Sequence, residues 1–408
     1  MAGRDDSGLN NLRSRRVGPL RAHAFVAALG LFACILPDPI AAGVAPVRIG
    51  VSLGLSGQYQ QPASMQERAF ELWRDQVNAH GGILGRPVEL VIRDDQGDPA
   101  LAEEIYREFV TAGGVDQVFA PYSSQLTLAV APIADRAGFP MLAPGAACDD
   151  LWSRGYHNVF GILTPASRYT QGMLRLAHQA RLTTVAIVHT ADCFSEEIAN
   201  GTRKWAPFQK LKVVVDLAVA ADKSDLPEAI RQARDAKVDL VVVAGYLDEA
   251  VRSRKAVEDL GWAPPAFYAT IGPTLSEWKE SLGSAAEFTF TTSLWEPTDS
   301  FAYPQSREFG EAFKARFGVE PSYQAAAAYA AGQILAAAAE NANSLDHEAV
   351  RAALFDLDSY TVLGRFAVDR TGMQVKRLDM IVQWQDGRKA IVWPDEIRTA
   401  SPIFGAAR

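Results

Sequence analysis

Short runs of β-branched residues alternate with amphipathic helical stretches from Val47 onward. The first run, 47–53, precedes a stretch whose apolar residues recur at helical spacing and whose start carries Ser64 and Glu67 at capping-box spacing. This rhythm continues to about residue 143 and restarts near Ser167. Such alternation is typical of a parallel sheet covered by helices. The pattern therefore predicts two doubly wound α/β halves.

The periodicity also predicts the individual elements. The predicted strands are 47–53, 88–93, 117–120, 140–143, 184–189, 212–217, 240–244 and 266–269. The predicted helices are one from Ser64 to the Gly81-Gly82 pair, then 101–111, 125–136, 167–180, 227–236, 248–260, 323–341 and 347–355. A hairpin-like tail is predicted within 366–393, with Asp386 and Gly387 at its turn.

The N-terminal 42 residues have the organisation of a secretory signal peptide. Four arginines between positions 13 and 21 precede an apolar run, 24–36, and small residues follow at Ala41 and Ala42. As a helix that run would span only about 20 Å, short of the roughly 30 Å hydrocarbon core of a bilayer. Export is therefore expected, with cleavage after Ala42 or Ala45. Lipid anchoring through Cys34 is the alternative.

Charge and cysteine content narrow the expected partners. Loss of residues 1–42 removes five arginines and three aspartates, which takes the formal net charge from −8 to −10. An acidic chain without a basic stripe is a poor partner for nucleic acid. Two cysteines, Cys148 and Cys193, would remain, and their spacing leaves open whether they form a disulfide or stay as thiols.

Ligands of open α/β sheets bind at the carboxyl ends of the strands. The predicted loops there are rich in Ser, Gly and aromatic residues, and they are 56–60, 122–125, 144–148, 192–195, 245–248 and 270–274. Ser123 and Ser124 precede a predicted helix, whose free N–H groups would suit a carboxylate. Ser124 as a simple N-cap is the alternative. Trp295 and Tyr303 fall where the chain would cross between halves, and would line the cleft or fill the hinge.

Signatures of catalysis and of metal binding are missing from the sequence. No G-x-S-x-G, H-E-x-x-H, Walker loop, C-x-x-C or post-strand G-x-G-x-x-G occurs, and the histidines have no ligand-like spacing. A hydrolase using Ser123 or Ser124 would lack a placed base. Asp94, Asp95 and Asp98 are expected to be turn and cap residues rather than a cation site. We therefore expect that the protein is not an enzyme and that it binds neither a metal nor a cofactor.

Several motifs together carry a resemblance to a known family. They include Ile49-Gly50-Val51, the segment 78–87 with its Gly81-Gly82 pair, Tyr122-Ser123-Ser124, Gly245-Tyr246 and Leu363-Gly364-Arg365-Phe366. The chain resembles the periplasmic branched-chain amino acid binding proteins, the leucine-binding-protein-like type I extracellular receptors of ABC transporters. The resemblance covers nearly all of the mature chain.

That resemblance implies the fold, the site and the role. It implies two lobes joined by a multi-crossover hinge, predicted as 46–164 plus 294–362 and 165–293 plus 363–400, that close on a ligand in the cleft between them. It places the ligand against Tyr59, Ser123, Ser124, Gly145, Ala146, Ala147, Phe194, Tyr246 and Ile271. It also implies a monomer in the periplasm that delivers a small organic ligand to an ABC transporter permease; a sensor feeding a signalling partner is the alternative.

Two positions depart from the amino acid binders of that family. Ile271 stands where they usually present an acidic residue to the ligand ammonium, and Ala147 stands where they often have Thr. A buried ammonium without a counter-charge costs on the order of several kcal/mol. The sequence therefore favours a carboxylate on an aromatic or other apolar body over a standard amino acid, although Asp192 or Asp248 could supply the missing charge.

Overall fold

The computed structural model describes residues 43–111, 114–220, 222–298, 303–376 and 379–405. The predicted signal peptide, with Cys34, lies outside the described residues. The strands are β1 (Val47–Leu53), β2 (Val88–Asp94), β3 (Gln117–Phe119), β4 (Met141–Ala143), β5 (Val159–Gly161), β6 (Thr184–His189), β7 (Lys212–Ala218), β8 (Leu240–Ala244), β9 (Ala266–Ala269), β10 (Thr289–Ser293), β11 (Ser359–Thr361), β12 (Gly364–Phe366), β13 (Met380–Gln385) and β14 (Arg388–Trp393).

The α-helices occur mostly between consecutive strands, as a wound sheet requires. They are α1 (Gln60–Ala79), α2 (Pro99–Thr111), α3 (Ser124–Arg136), α4 (Asp150–Ser153), α5 (Gln171–Gln179), α6 (Cys193–Trp205), α7 (Leu226–Asp235), α8 (Leu247–Asp259), α9 (Glu277–Leu282), α10 (Ser306–Phe317), α11 (Tyr323–Ala342) and α12 (His347–Asp356). Among the described helices, none combines the length and apolar character needed to span a bilayer.

Two separate sheets form the framework. The first has five parallel strands in the order β2-β1-β3-β4-β5, and the second has seven strands in the order β14-β13-β10-β9-β8-β6-β7. Strands β7-β6-β8-β9-β10 repeat the strand order of the first sheet, and the antiparallel hairpin β13–β14 extends its far edge. The prediction of two doubly wound α/β halves is confirmed. The residue boundaries of the two lobes stay a prediction.

Helix α11 returns the chain to the first sheet. Its residues from Ala325 to Ala331 are almost entirely buried in the core that also contains the apolar face of α1. Gly332 lies directly on the Trp73 ring, where any Cβ would clash with the indole. Small residues therefore let these two long helices approach closely. The short pair β11–β12 follows, and its Phe366 packs in the same core.

Several sequence predictions of element boundaries were wrong. Helix α1 begins at Gln60 rather than Ser64, because a 3-10 turn at Gly57–Tyr59 leads directly into it and Pro62 fits its first turn. Helix α3 begins at Ser124, so Ser123 and not Ser124 holds the N-cap position. The segment 192–195 is not a loop, because Cys193 opens α6 and the Asp192 side chain accepts from Ser195 N–H.

Candidate functional site

Five aromatic side chains, which we call the ring cluster, meet between the two sheets; they are Tyr59, Tyr122, Tyr169, Phe194 and Tyr246. Tyr59 precedes α1 in the first half, and its ring centroid lies 5.0 Å from that of Tyr246, which precedes α8 in the second. Phe194 lies 5.5 Å from both Tyr246 and Tyr169. Three predicted site residues, Tyr59, Phe194 and Tyr246, are thus brought together across the two halves.

The hydroxyls of these tyrosines are neutral at physiological pH. Burial raises the pKa of Tyr59 to about 12, and the charges of Asp192 and Glu249 act in the same direction. Burial also raises the pKa values of Tyr122 and Tyr246 well above the ordinary value of a tyrosine. Each hydroxyl can therefore both donate and accept a hydrogen bond.

Ser123 and Ser124 lie at the start of α3 but differ in role. Ser123 is buried and faces the Tyr59 and Tyr246 hydroxyls, yet its Oγ forms no hydrogen bond of standard geometry and does not cap the helix. Ser124 Oγ accepts from the N–H groups of Ala147 and Cys148 at 3.0 and 3.2 Å. Ser124 therefore ties the 144–148 loop to α3, whereas Ser123 faces the tyrosine hydroxyls.

The loop at Gly145–Ala147 packs tightly against the ring cluster. A Cβ on Gly145 would lie 2.7 Å from the Tyr122 ring and 3.2 Å from the side-chain nitrogen of Gln66, so only glycine fits without displacement. Ala146 and Ala147 are buried. The predicted residues of this loop therefore lie beside Tyr122 and Gln66.

Ile271 is buried in the same core as Phe194. Its φ of +44° and the bond from Gly272 N–H to the Thr270 carbonyl make it the centre of a tight γ-turn, a conformation that is costly for a β-branched residue. The strained turn therefore places an apolar side chain at position 271, one of the predicted site residues.

The carboxylates near this position are already engaged. Asp192 accepts from Thr190 and Ser195, with its closest contact 2.6 Å from the Thr190 hydroxyl. Asp248 pairs with Lys223 and Arg252 on the surface. Buried Glu249 accepts from Tyr246 N–H at 2.9 Å and pairs with Lys223 at 2.5 Å. Asp248 and Glu249 are thus paired with cations, whereas Asp192 is held by hydroxyl and N–H donors.

Buried polar groups that form no hydrogen bond of standard geometry among the described residues surround the ring cluster. Sequence reasoning missed most of them; they are both side-chain atoms of Gln66, the hydroxyls of Tyr169 and Ser322, and the side-chain oxygen of Gln324, beside Ser123 Oγ. The signal for Gln66 was available, because it is a polar residue on the buried face of α1. Tyr169 and the start of α11 join the site only through the tertiary fold.

A cavity of about 460 Å³ borders this region rather than occupying it. Ser322 and Thr274 line this cavity. Thr274 also connects it to the residues around the ring cluster, because its Oγ1 accepts from the Gln324 amide at 3.2 Å. Trp384 and Lys389 line its far wall, where Lys389 pairs with buried Glu296 at 2.9 Å. Trp295 is buried in the core against Phe309, so it fills the core rather than lining the cleft.

Cys148 and Cys193 form a disulfide, with their Cα atoms 5.8 Å apart. This settles the alternative that the sequence left open.

The aspartates at 94, 95 and 98 accept hydrogen bonds from neighbouring turn residues, such as Ser56 and Gly97 N–H, as expected. Among the described residues, no cluster of His, Cys, Asp and Glu is arranged to hold a metal ion.

Residues 46–389 match the family model described as periplasmic binding protein. The chain belongs to the periplasmic binding protein family. This confirms the resemblance found in the sequence. A curated relative, Leu/Ile/Val-binding protein homolog 7 of Brucella abortus (strain 2308), is 24% identical over 376 residues, which cover 87% of this chain and 94% of the relative.

Solved structures place this periplasmic binding protein in the type I fold. The isoleucine complex of the substrate binding protein LivJ from Streptococcus pneumoniae superposes with a TM-score of 0.77 at 24% identity, covering 86% of this chain and all of that one. A solute binding protein from R. palustris in complex with benzoate gives 0.76 at 20% identity, covering 85% and 96%. At these identities the likeness shows the fold and leaves the ligand open.

Proposed function

We propose that this periplasmic binding protein is the extracytoplasmic component of an ABC transporter and that it binds a small carboxylic acid with an aromatic or other apolar body. The binding residues would be those predicted from the sequence, Tyr59, Ser123, Ser124, Gly145–Ala147, Phe194, Tyr246 and Ile271, joined by Gln66 and Tyr122. The carrying observation is the buried apolar Ile271, with Asp248 and Glu249 paired with Lys223 and Asp192 held by Thr190 and Ser195.

The carboxylate end of the ligand would bind at the start of α3. There the first-turn N–H groups receive no side-chain cap, and Ser123 Oγ has no standard partner. A helix N-terminus favours an anion by its free donors and its dipole. The apolar body would then lie against the Phe194 and Tyr246 rings, which supply contact area from the second half.

Binding would proceed by closure of the two halves on the ligand, without breaking a bond. A ligand that touches both halves stabilises the closed form by its additional contacts there. Ser124, a candidate nucleophile by sequence, instead accepts from two backbone N–H groups. The transporter permease would recognise the closed, periplasmic form. The benzoate and isoleucine complexes of the two structural relatives bracket the ligand classes to be tested.

The test is calorimetric titration of the full chain, kept reduced with dithiothreitol, with benzoate and with isoleucine. We expect benzoate to bind and isoleucine to give no heat, because the apolar Ile271 offers no counter-charge to an ammonium. Tyr246→Ala and Ser123→Ala should each weaken binding. Matched controls are Tyr360→Ala, an exposed tyrosine, and Ser253→Ala, whose buried Oγ also lacks a partner but lies on α8. Binding of isoleucine alone, or equal affinity in all four variants, would refute the proposal.

A further inference from the structure

The disulfide joins the two halves of the molecule covalently. Cys148 lies in the loop that follows β4 of the five-stranded sheet, and Cys193 is the first residue of α6, which follows β6 of the seven-stranded sheet. Their Cα atoms are 5.8 Å apart, within the range a disulfide allows. An intact bond holds that separation below about 7 Å. The two halves therefore cannot part at this point while the bond exists.

This link lies beside the proposed binding residues. Ala147 directly precedes Cys148, and Phe194 directly follows Cys193. Both ends are held firmly, because Ser124 Oγ accepts from Cys148 N–H and the Asp192 carboxylate caps α6 at Ser195 N–H. Separation of the halves at the ligand would pull directly on the disulfide.

We propose that the Cys148–Cys193 disulfide is a thiol–disulfide exchange site that holds the cleft closed, and that a dithiol reductant releases it. The control of ligand exchange rests on the proposed function, whereas the closure itself does not. Oxidised protein retains its ligand, and reduced protein opens and exchanges it. The bond thus makes the opening of this binding protein dependent on redox state.

The exchange has a defined order. Cys193 is partly exposed and Cys148 is buried, so a reductant thiolate attacks the Cys193 sulfur. The protein S–S bond breaks, and the Cys148 sulfur leaves as a thiolate and takes a proton from water. The second thiol of the reductant, as a thiolate, then attacks the reductant sulfur that is bonded to Cys193. This closes the reductant disulfide and frees Cys193, which takes a proton from water. Two electrons and two protons reach the protein, and the reductant leaves as a disulfide.

The surroundings favour a particular class of reductant. Cys193 opens α6, whose N-terminus stabilises the Cys193 thiolate that is released in the second step. The cysteines are flanked by acidic residues, which repel one another and any anionic thiol; they are Asp149, Asp150, Asp192, Glu196 and Glu197. A neutral or basic dithiol is therefore favoured over an anionic monothiol such as glutathione.

The experiment compares three forms of the full chain, all carrying Cys34→Ser: the oxidised protein, the protein reduced with dithiothreitol, and Cys148→Ser/Cys193→Ser. Small-angle scattering without ligand should give a larger radius of gyration for the second and third forms than for the first. Benzoate that is loaded onto the reduced protein before the disulfide is formed again should dissociate several-fold more slowly from the oxidised form than from the two open forms.

The outcomes separate the two proposals. Identical radii in all three forms, or two free thiols in the folded oxidised protein, would overturn the closure. A larger radius on reduction without binding of benzoate or isoleucine would leave the closure standing and reject the proposed function. Benzoate dissociation at one rate from all three forms would overturn the control of ligand exchange. Equal reduction rates by dithiothreitol and glutathione at matched thiolate concentration would overturn the preference for a neutral dithiol.

Discussion

Gln66 offers a test in which stability and binding should change in opposite directions. Its side chain is fully buried on α1, and neither its amide nitrogen nor its oxygen has a hydrogen-bond partner among the described residues. An unpaired buried polar group costs about 1–3 kcal/mol. Gln66→Leu, which keeps the volume and removes the polar atoms, should therefore raise the free energy of unfolding of the ligand-free protein by about 1 kcal/mol or more.

The same change should weaken ligand binding. The amide nitrogen lies beside Gly145, in the loop proposed to receive the carboxylate. A hydrogen bond to a charged group contributes about 1.5–3 kcal/mol, so benzoate affinity should fall about 10- to 150-fold. Urea unfolding and calorimetric titration measure the two quantities on the same preparation.

Gln117→Leu is the matched control. Gln117 is equally buried and its side-chain oxygen also lacks a partner, but its amide donates to the Leu345 carbonyl at 2.8 Å. Its replacement breaks that bond, so it should raise stability less than Gln66→Leu does and should leave affinity unchanged. Should Gln66→Leu lower stability while affinity stays constant, Gln66 would be an ordinary structural residue and the reasoning from unpaired groups would be wrong.

Two further predictions concern hydrogen bonds that fix the loops. Ser124→Ala leaves the N–H groups of Ala147 and Cys148 unpaired and should lower the free energy of unfolding by about 2 kcal/mol or more, against little change for Ser253→Ala; equal losses in urea unfolding would contradict this. Burial acts to raise the pKa of Asp239, but hydrogen bonds from Thr183 and Thr184 outweigh it and lower that pKa. This stabilisation is present above the ordinary pKa of about 4 and is lost as the pH falls through the folded-state value, so Asp239→Asn should flatten the acid limb of the stability profile.

Much of the sheet framework was predictable because its strands are β-branched runs bounded by turn residues. Strand β10, Thr289–Ser293, was missed, since its buried threonines carry no apolar signal. Helix α6 was missed because Ile198 and Ala199 are among the few apolar residues in a polar stretch. Helix α10 was also missed, although Phe309, Phe313 and Phe317 recur at four-residue spacing and gave a usable signal.

The candidate site was predictable where it depends on strand ends. Phe194 and Tyr246 follow such ends, and the rule that ligands bind there pointed to them, whereas Tyr59 was selected through the family resemblance. Tyr169 and Gln324 come from a crossover and a returning helix, so only the tertiary fold brings them near. The pairing of Cys148 with Cys193 was likewise out of reach, because spacing along the chain contains no distance information.

The position of α11 against α1 has a consequence for how the chain folds. The apolar face of α1, with Trp73, emerges early in synthesis, but the helix that covers it lies beyond the entire second half. Until that late segment arrives, the early half exposes a surface that is prone to aggregation. The first half can thus complete its core only after α11, Tyr323–Ala342, has been released.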